Sequence, residues 1–544
     1  MKKIFNSILA ICLASAFSVL AVSCGGQTGD DDKQSDTTTP ADYTSEFTPD
    51  EIDESLTGNL SIRFYRKGFG AGYINSLVAA FKTKYPNVSV SSSAVTTAVS
   101  IFGEAVGGIE DKYDIFITET SSSTLIGYVD MFESLNDVYA YTNQNESVKI
   151  EDKLEDIHKM NFSTASGKYY AVPVYNATYG LVYNSDYLED GEIPYTTDEF
   201  ITLLRSLRTS VGGSFYPLAV SGGDSSYYWK FMYSTWFAQY EGLENYTQMQ
   251  KGRILKDGEY VVDPSSAYLE GGLKAMQACE DILWLDNGFV NKQSVGRDAL
   301  TAQKDLITNS AAFVYTGSWL LNEMATTFAK YEIDDVSNIR MMKVPVLSAI
   351  VEKCPSISDD AELSALIKAI DQGSKELGGA GYEVTQADFD KIYEARNFVY
   401  TGVDCCNAVI PTIAKNKELA KTFLKFMLSD HGAKALVMSK VGCASPIKNF
   451  DCTDALGNIE PFLKDVYGFM LNNVKFGNLG KDMAISPYCT DEIKVAGSIE
   501  KQFCSPNVTD RTRAVDSYNA KKTTWTANNN RKFYEEMNKA GYEV

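Results

Sequence analysis

Histidine is nearly absent from this chain of 544 residues, which contains two, His158 and His431. Nucleophilic triads, cysteine–histidine pairs and histidine-rich metal sites each need at least one well-placed histidine. His431 lies in SDHGAK, a sequence typical of a turn between two helices, and His158 lies in a charged, helical stretch. We therefore predict that both are surface residues and that neither is a catalyst.

Short catalytic and phosphate-binding motifs are also missing. The chain has no GxxxxGKS/T, GxGxxG, HExxH or GxSxG pattern and no CxxC pair. Each of these patterns is the local signature of a nucleotide, zinc, serine-hydrolase or thiol redox site. The sequence therefore predicts no cofactor, no metal site and no catalytic residue.

Basic residues are scarce relative to acidic ones. The chain has 50 Lys and Arg against 71 Asp and Glu, a formal net charge of −21. Nucleic acid binding needs lysine and arginine to neutralise phosphates, so nucleic acid is not an expected partner. The chain also lacks a basic patch for anionic lipid, and its acidity is typical of a soluble body.

Cysteine is present but shows no recognisable framework. Cys12 and Cys24 lie near the N-terminus, which leaves eight cysteines in the body of the chain. Disulfides are possible outside the cytoplasm, where Cys443–Cys452 and Cys489–Cys504 are plausible pairs. Buried free thiols are the alternative, and the sequence does not decide between them.

The N-terminus carries the one long apolar run, from Ile4 to Val22, behind Lys2 and Lys3. This pattern resembles a bacterial lipoprotein signal over residues 1–23, in which Cys24 becomes the lipid-modified N-terminus. The leucine stands four residues before the cysteine where such signals usually have it three before, so an uncleaved anchor remains an alternative. Residues 24–57 are acidic and poor in apolar residues, which predicts a disordered tether.

The rest of the chain, from about residue 59 to 544, is too long for one ordinary core, so two or more lobes are expected. Its hydrophobic periodicity indicates an α/β protein. A strand at 60–65, a helix at 74–85 and a strand from Val88 form a βαβ opening, and the apolar run YDIFIT at 113–118 is typical of a buried parallel strand. Two strands follow at 169–174 and 178–183. A capping box at Thr196 and Glu199 begins the next helix.

Later segments continue the alternation of strands and helices. Strands are predicted in 311–316, 339–347 and 405–411, with helices after the first and the last of them. Residues 348–402 are charged and contain glycine-rich sequence, which indicates a partly helical insertion. The tail to residue 544 is predicted to be mainly helical.

Seven of these segments occur in one order: LSIRFY with its helix and strand, YDIFITET, GKYYAVPVYNATYGLVYNSDYL, TTDEFITLLRSL, AAFVYTGSW, KVPV, and IPTIAKNKELAKTFLKFML followed by ASPI. Together they resemble the extracellular solute-binding proteins of ABC importers, the family that includes maltose-binding protein. The resemblance covers most of residues 60–447. It implies a two-lobe periplasmic-binding-protein-like fold (type II) whose ligand cleft lies between lobes joined by crossing hinge strands.

The resemblance also implies boundaries and a function. The N-lobe is expected at 58–172 plus 403–447 and the second lobe at 173–347 plus 448–544, with the insertion at 348–402 near the hinge.

A protein of this family does no chemistry on its ligand. It captures a sugar or oligosaccharide and delivers it to the permease subunits of an ABC transporter, as a lipid-anchored monomer facing the periplasm or the exterior. A polyamine or iron ligand, or a surface glycan hydrolase, is the alternative.

The candidate ligand contacts are residues that the resemblance and their chemistry place at the cleft. Aromatic rings cover the apolar faces of sugars, and amides, carboxylates and basic groups pair with sugar hydroxyls. The candidates near the first and third strands and the hinge are Arg66, Lys67, Glu119, Thr120, Tyr175, Asn176 and Thr178. The later candidates are Tyr228, Trp229, Trp236, Trp319 and Asp404. Core packing is the alternative for one of the two tryptophans at 229 and 236. The tyrosines at 169, 170, 179 and 183 are interpreted as strand packing and are not candidates.

Overall fold

The computed structural model describes residues 52–96, 103–105, 113–164, 166–188, 193–223, 228–374, 383–401, 406–457, 459–477, 498–524 and 527–539. All of them belong to one compact unit that spans residues 40–544. The predicted signal, the lipidation site Cys24, the candidate Asp404 and the cysteine at 489 lie outside the described residues.

The described strands are β1 (Gly58–Tyr65), β2 (Val88–Val95), β3 (Ile115–Thr118), β4 (Val172–Pro173), β5 (Tyr179–Asn184), β6 (Leu218–Ala219), β7 (Arg253–Lys256), β8 (Glu259–Val262), β9 (Phe313–Gly317), β10 (Ile339–Met342), β11 (Phe398–Tyr400), β12 (Asn407–Val409) and β13 (Val474–Phe476).

The described helices are α1 (Gly72–Lys84), α2 (Ser122–Leu125), α3 (Asn136–Tyr139), α4 (Ile150–Lys153), α5 (Asp156–Phe162), α6 (Thr197–Val211), α7 (Trp229–Glu241), α8 (Leu243–Gln250), α9 (Glu270–Leu283), α10 (Ala299–Ile307), α11 (Leu320–Glu323), α12 (Ala325–Lys330), α13 (Asp360–Asp371), α14 (Gln386–Arg396), α15 (Lys417–Met427), α16 (Asp430–Met438), α17 (Pro461–Asn472), α18 (Ile499–Cys504), α19 (Ala514–Thr524) and α20 (Ala527–Lys539).

The first sheet has five strands in the order β2-β1-β3-β12-β4. β1 pairs in parallel with β2 and β3, and β12 runs antiparallel to both β3 and β4. In β1 the residues Leu60, Ile62 and Phe64 point into the core, alternating with partly exposed neighbours, as expected of a half-covered strand. The predicted βαβ opening is therefore present.

The second sheet has four strands in the order β10-β5-β9-β6. β5 is antiparallel to β10 and β9, and β6 is parallel to β9. All six residues of β5 are buried, because β10 and β9 flank it and helix α10 packs against it. The predicted strand at 339–347 ends at Met342, and the predicted strand at 169–174 is limited to β4.

A short linker joins the two sheets. It runs from Val174 to Thr178, between β4 of the first sheet and β5 of the second. Two isolated bridges fasten it to distant segments, Asn176 with Ala444 and Thr178 with Thr401. The loops that follow β1 and β9 also lie close to the linker, because Phe69 packs on Tyr175 at a ring-centroid distance of 5.0 Å and the Ser318 hydroxyl accepts from the N–H of Thr178 at 3.3 Å.

The segment predicted as an insertion contains its own small core. Helices α13 and α14 bury residues against each other and against the turn that follows residue 346. The buried residues of the two helices are Leu363, Leu366, Ile367, Ile370, Phe389, Ile392 and Ala395. The Arg396 guanidinium closes this core, donating to the carboxylate of Asp371 at 2.6 Å and to the carbonyl of Val344 at 3.1 Å.

The structure decides one alternative that the sequence left open and corrects one prediction. Cys443 and Cys452 do not form the proposed disulfide, because both are buried free thiols packed in the main core. His158 is not a surface residue, because its side chain is 1% exposed beside the linker between the sheets.

Over the described part of the chain, no helix combines the length and the apolar character needed to cross a bilayer.

Candidate functional site

Polar candidates collect where β1 and β3 end. The ammonium of Lys67 lies 2.6 Å from the Glu119 carboxylate, and the hydroxyls of Thr118 and Thr120 are 2.8 Å apart. Burial raises the pKa of Glu119 above its ordinary value, although the charge of Lys67 opposes this. The backbone of Arg66 is held by the carbonyl of Val95, and its side chain is partly exposed. These groups form a charged rim at one edge of the first sheet.

The three linker candidates are buried and tie the linker in place. Tyr175, which is 4% exposed, packs edge to face on Phe69 and Tyr73, with both ring centroids at 5.0 Å. The backbone of Asn176 exchanges two hydrogen bonds with Ala444 at 2.7 and 3.1 Å. The hydroxyl of Thr178 donates to the carbonyl of Tyr400 at 3.3 Å. The linker is therefore bound to both of the later segments that cross near it.

Six rings form a continuous group beside this linker, which we call the aromatic cluster. Its members are Phe69, Tyr179, Tyr228, Phe231, Trp319 and Tyr400. The ring of Trp319 meets Phe69, Tyr179 and Tyr228 at centroid distances of 5.6, 5.2 and 6.0 Å. The ring of Phe231 lies 4.2 Å from Tyr179 and 4.7 Å from Tyr400. The cluster joins the loop after β1 to the second sheet.

Trp319 is the central ring of the cluster and fits between two glycines. A Cβ at Gly68 would lie 2.7 Å from Cδ1 of the Trp319 indole, and a Cβ at Gly317 would lie 2.2 Å from its Cη2. Asn322, one turn later, donates from its amide to the carbonyl of Gly68 at 2.5 Å. The turns after β1 and β9 are therefore in direct contact, and the absence of side chains at the two glycines makes room for the indole.

The structure places the other two tryptophan candidates in the core. Trp236 is fully buried and donates its indole N–H to the carbonyl of Pro345 at 3.0 Å. Trp229 is 2% exposed, and its ring packs on Trp236 and Tyr315. Neither ring offers an open face to a ligand in this conformation. Tyr228, the residue before them, does reach the aromatic cluster.

Sequence reasoning did not place Phe69, Tyr179, Phe231 and Tyr400 at the site. Phe69 lies in a glycine-rich turn, and Tyr179 was interpreted as strand packing. Phe231 follows Tyr228 by three residues on α7, a spacing that puts two residues on the same side of a helix. Tyr400 belongs to the segment predicted as an insertion, from which no site residue was taken. Of these four residues, only Phe231 could have been placed at the site from the sequence, by its helical spacing from Tyr228.

The part of the chain that the structure describes contains no group of three or more His, Cys, Asp or Glu side chains placed to hold a metal ion.

Comparison with known proteins identifies the fold. A protein of Streptomyces coelicolor described as a probable secreted solute-binding lipoprotein has 13% sequence identity and a TM-score of 0.53, and the match covers 87% of this chain and 99% of that protein. The solute receptor AcbH, described as preferring β-D-galactopyranose, has 15% identity and a TM-score of 0.52, with coverage of 86% and 99%. The GacH receptor of Streptomyces glaucescens, solved unliganded and with acarbose, has 15% identity and a TM-score of 0.51, with coverage of 86% and 98%.

These likenesses show the α/β fold of two-lobe solute-binding proteins, as the sequence predicted. No curated protein sequence matches the chain. A family model described as bacterial extracellular solute-binding protein matches residues 76–455. Its members are binding proteins and not enzymes. This chain belongs to the bacterial extracellular solute-binding proteins.

Proposed function

We propose that this protein captures a sugar or an oligosaccharide at the aromatic cluster. The observation that carries the proposal is the contact of six aromatic rings with one another beside the charged rim formed by Lys67 and Glu119. Sugar rings have apolar C–H faces that pack on aromatic rings and hydroxyls that pair with charged groups. Solved relatives are described as receptors for acarbose, galactopyranose, chitin oligosaccharide and maltose, which supports the same ligand class here.

Ligand entry requires the two sheets to move apart. Trp319 and Tyr179 are 9% and 8% exposed, so their ring faces are covered by protein in this conformation. We propose that the lobes, 58–172 plus 403–447 and 173–347 plus 448–544, separate about the linker and close again on the ligand. A ligand that contacts both lobes only in the closed state binds that state better and so drives closure.

The cellular role that we propose follows from the family. The protein is anchored to a bacterial membrane through lipid on Cys24, faces the periplasm or the exterior, and hands its ligand as a monomer to the permease subunits of an ABC transporter. Arg66, Thr120, Asn176, Thr178 and the region of Asp404 complete the proposed ligand environment. Release of ligand to a permease requires the lobes to open again.

The test is a melting-temperature screen of the purified protein and its Trp319→Ala variant against galactose, maltose, xylobiose, chitobiose, spermidine and ferric ion. A ligand at about 100 times its dissociation constant adds roughly 2.7 kcal/mol to native stability. We expect a saturable shift with one saccharide class in the wild type. We expect that shift to fall by the equivalent of about fivefold in affinity or more in the variant, since a stacked aromatic ring contributes on the order of 1 kcal/mol or more.

Trp284→Ala is the matched control, because its indole is partly exposed and packs under Arg513 at 3.8 Å, away from the cluster. It should keep the full ligand-induced shift. A shift with spermidine or ferric ion alone would replace the carbohydrate proposal. Hydrolysis of any saccharide in the panel would contradict a pure binding role.

A further inference from the structure

A buried carboxyl group from the C-terminal part of the chain caps the helix that carries two of the cluster rings. The backbone N–H of Trp229, the first residue of α7, donates to Oε1 of Glu500 at 3.1 Å. Glu500 is fully buried on α18, and the two residues are 271 positions apart in the sequence. The acceptor of this hydrogen bond therefore belongs neither to α7 nor to the residues that flank it in the sequence.

The contact supplies what the local sequence does not. The N-cap position of α7 is occupied by Tyr228, where helices usually have serine, threonine, aspartate or asparagine. Those short side chains accept hydrogen bonds from the first free amides of the helix. A carboxylate at the same place also interacts favourably with the positive end of the helix dipole. Glu500 therefore does from a distance what an N-cap residue does locally.

The capped end is the end that reaches the proposed ligand site. Tyr228 contacts Trp319 and Tyr179, and Phe231, which is hydrogen-bonded to Tyr228 through its backbone, contacts Tyr179 and Tyr400. A small rotation of the first turn of α7 would move both rings. The position of two of the six cluster rings thus depends on where this turn is held.

We propose that Glu500 is a positioning residue of the ligand site, whose ionised carboxylate holds the first turn of α7 so that Tyr228 and Phe231 face the ligand. The inference rests on the proposed carbohydrate function for its ligand. It adds a residue that lies outside the site and that acts only through the helix it caps.

The surroundings of Glu500 make its charge sensitive to pH. Burial raises the pKa of Glu500 to about 7, against the opposing hydrogen bond from Trp229. The titratable and charged groups that face it are Lys230 on α7, Cys279 on α9 and Cys504 on its own helix. The folded state therefore keeps a proton on Glu500 between its ordinary pKa of about 4.5 and about 7, and the ionised cap is complete only above that range.

The experiment compares the full-length wild type with Glu500→Gln, which keeps an acceptor oxygen but no charge. Affinity for galactose, maltose, xylobiose and chitobiose is measured at about pH 8.5 and about pH 5.5, with hydrogen exchange of the amides at 229–233. At the higher pH we expect E500Q to bind the saccharide that the wild type binds about three- to tenfold more weakly. We also expect the amides at 229–233 to exchange faster in E500Q. At the lower pH the two proteins should bind equally, because the wild type is then protonated.

A general loss of stability would not reproduce this pattern. An ionised buried carboxyl destabilises the fold, so E500Q should melt at the same or a higher temperature than the wild type at the higher pH while binding more weakly. Glu241→Gln is the matched control: the Glu241 carboxylate is also largely buried and accepts from the first turn of α9, at Gly271, over 2.7 Å. Glu241 is the last residue of α7, about three turns from the capped end, and helix α9 contributes no ring to the cluster, so E241Q should keep the wild-type affinity and pH profile.

The outcomes separate the two proposals. Unchanged exchange at 229–233 in E500Q would overturn the positioning role whatever the ligand. Faster exchange with equal affinity at both pH values would overturn the link from the cap to the ligand. Faster exchange in E500Q, with no saccharide bound by the wild type, would overturn the carbohydrate function and leave the positioning of the two rings supported.

Discussion

At the scale of single residues, His158 shows how burial decides the chemistry of a side chain. Its Nε2 lies 3.0 Å from the side-chain oxygen of Asn176, so this nitrogen carries the proton that it donates. Burial lowers the pKa of His158 from 6.5 to about 3. The folded protein therefore holds this imidazole neutral at any pH where the unfolded chain would begin to protonate it.

The low pKa of His158 in the folded state predicts that the protein loses stability in acid. Between pH 6.5 and the folded pKa the unfolded state binds a proton that the folded state does not, so stability is complete above pH 6.5 and falls as the pH drops. The loss is about 1.4 kcal/mol for each pH unit. We expect the wild type to lose about 2 kcal/mol of unfolding free energy between pH 6.5 and about pH 4.5 that His158→Gln keeps, measured by urea unfolding.

His431→Gln is the control, because it removes the other histidine of the chain. It should follow the wild-type dependence on pH. Parallel curves for the wild type and H158Q would show that the titration of His158 does not contribute.

At the scale of elements, the start of α6 shows how local sequence and tertiary contact reinforce each other. The hydroxyl of Thr196 accepts from the N–H of Glu199 at 3.2 Å, as the capping box predicted. The Glu199 carboxylate accepts from the N–H of Tyr195 at 2.7 Å, one residue earlier than the usual partner in such a box. The Thr196 hydroxyl also donates to the Asp360 carboxylate at 2.8 Å, which joins α6 to the first turn of α13.

Thr196→Ala removes the cap and leaves the Asp360 carboxylate without this donor. We expect a loss of about 1 to 2 kcal/mol in unfolding free energy, somewhat more than an isolated cap gives. Chemical denaturation measures the loss. Thr209→Ala is the comparison on the same helix, at an exposed position. Alanine favours helices more than threonine, so T209A should be neutral or slightly stabilising, and equal effects of the two changes would contradict the capping role.

At the scale of the whole molecule, one glycine lets two distant chain segments pass in contact. Gly442 has a φ of +90°, and a Cβ there would lie 2.0 Å from the carbonyl oxygen of Ser318. The segment around Gly442 follows α16, which packs on α1 beside the first sheet, whereas Ser318 directly follows β9 of the second sheet. The close approach therefore brings a segment beside the first sheet into contact with a segment that leaves the second sheet.

Gly442→Ala should destabilise the protein by about 3 kcal/mol or more, since it combines an unfavourable backbone conformation with a steric clash. Displacement of Ser318 would also move Trp319, so the melting shift given by saccharide should shrink. Gly167→Ala is the control, because Gly167 has a φ of +80° but no atom within 4 Å of an added Cβ. It should cost only about 1 to 2 kcal/mol, from the backbone alone. Similar losses in both variants would show that the contact with Ser318 is unimportant.

The sequence by itself determined the features that depend on neighbouring residues. Alternation of apolar residues in β1, the helical spacing in α1 and the threonine cap of α6 each act within a few positions, so the α/β class could be predicted. The order of these segments also indicated the solute-binding family, which the family match confirmed. The residues proposed as ligand contacts remain predictions.

Only the tertiary structure decided which residues meet. Burial of His158 depends on the linker at Asn176, and the entry of Tyr400 into the aromatic cluster depends on the path of the chain after the segment predicted as an insertion. The cap that Glu500 provides for α7 spans 271 positions. Contacts of this kind leave no local pattern, because their free energy comes from packing, desolvation and charge between segments that become neighbours only on folding.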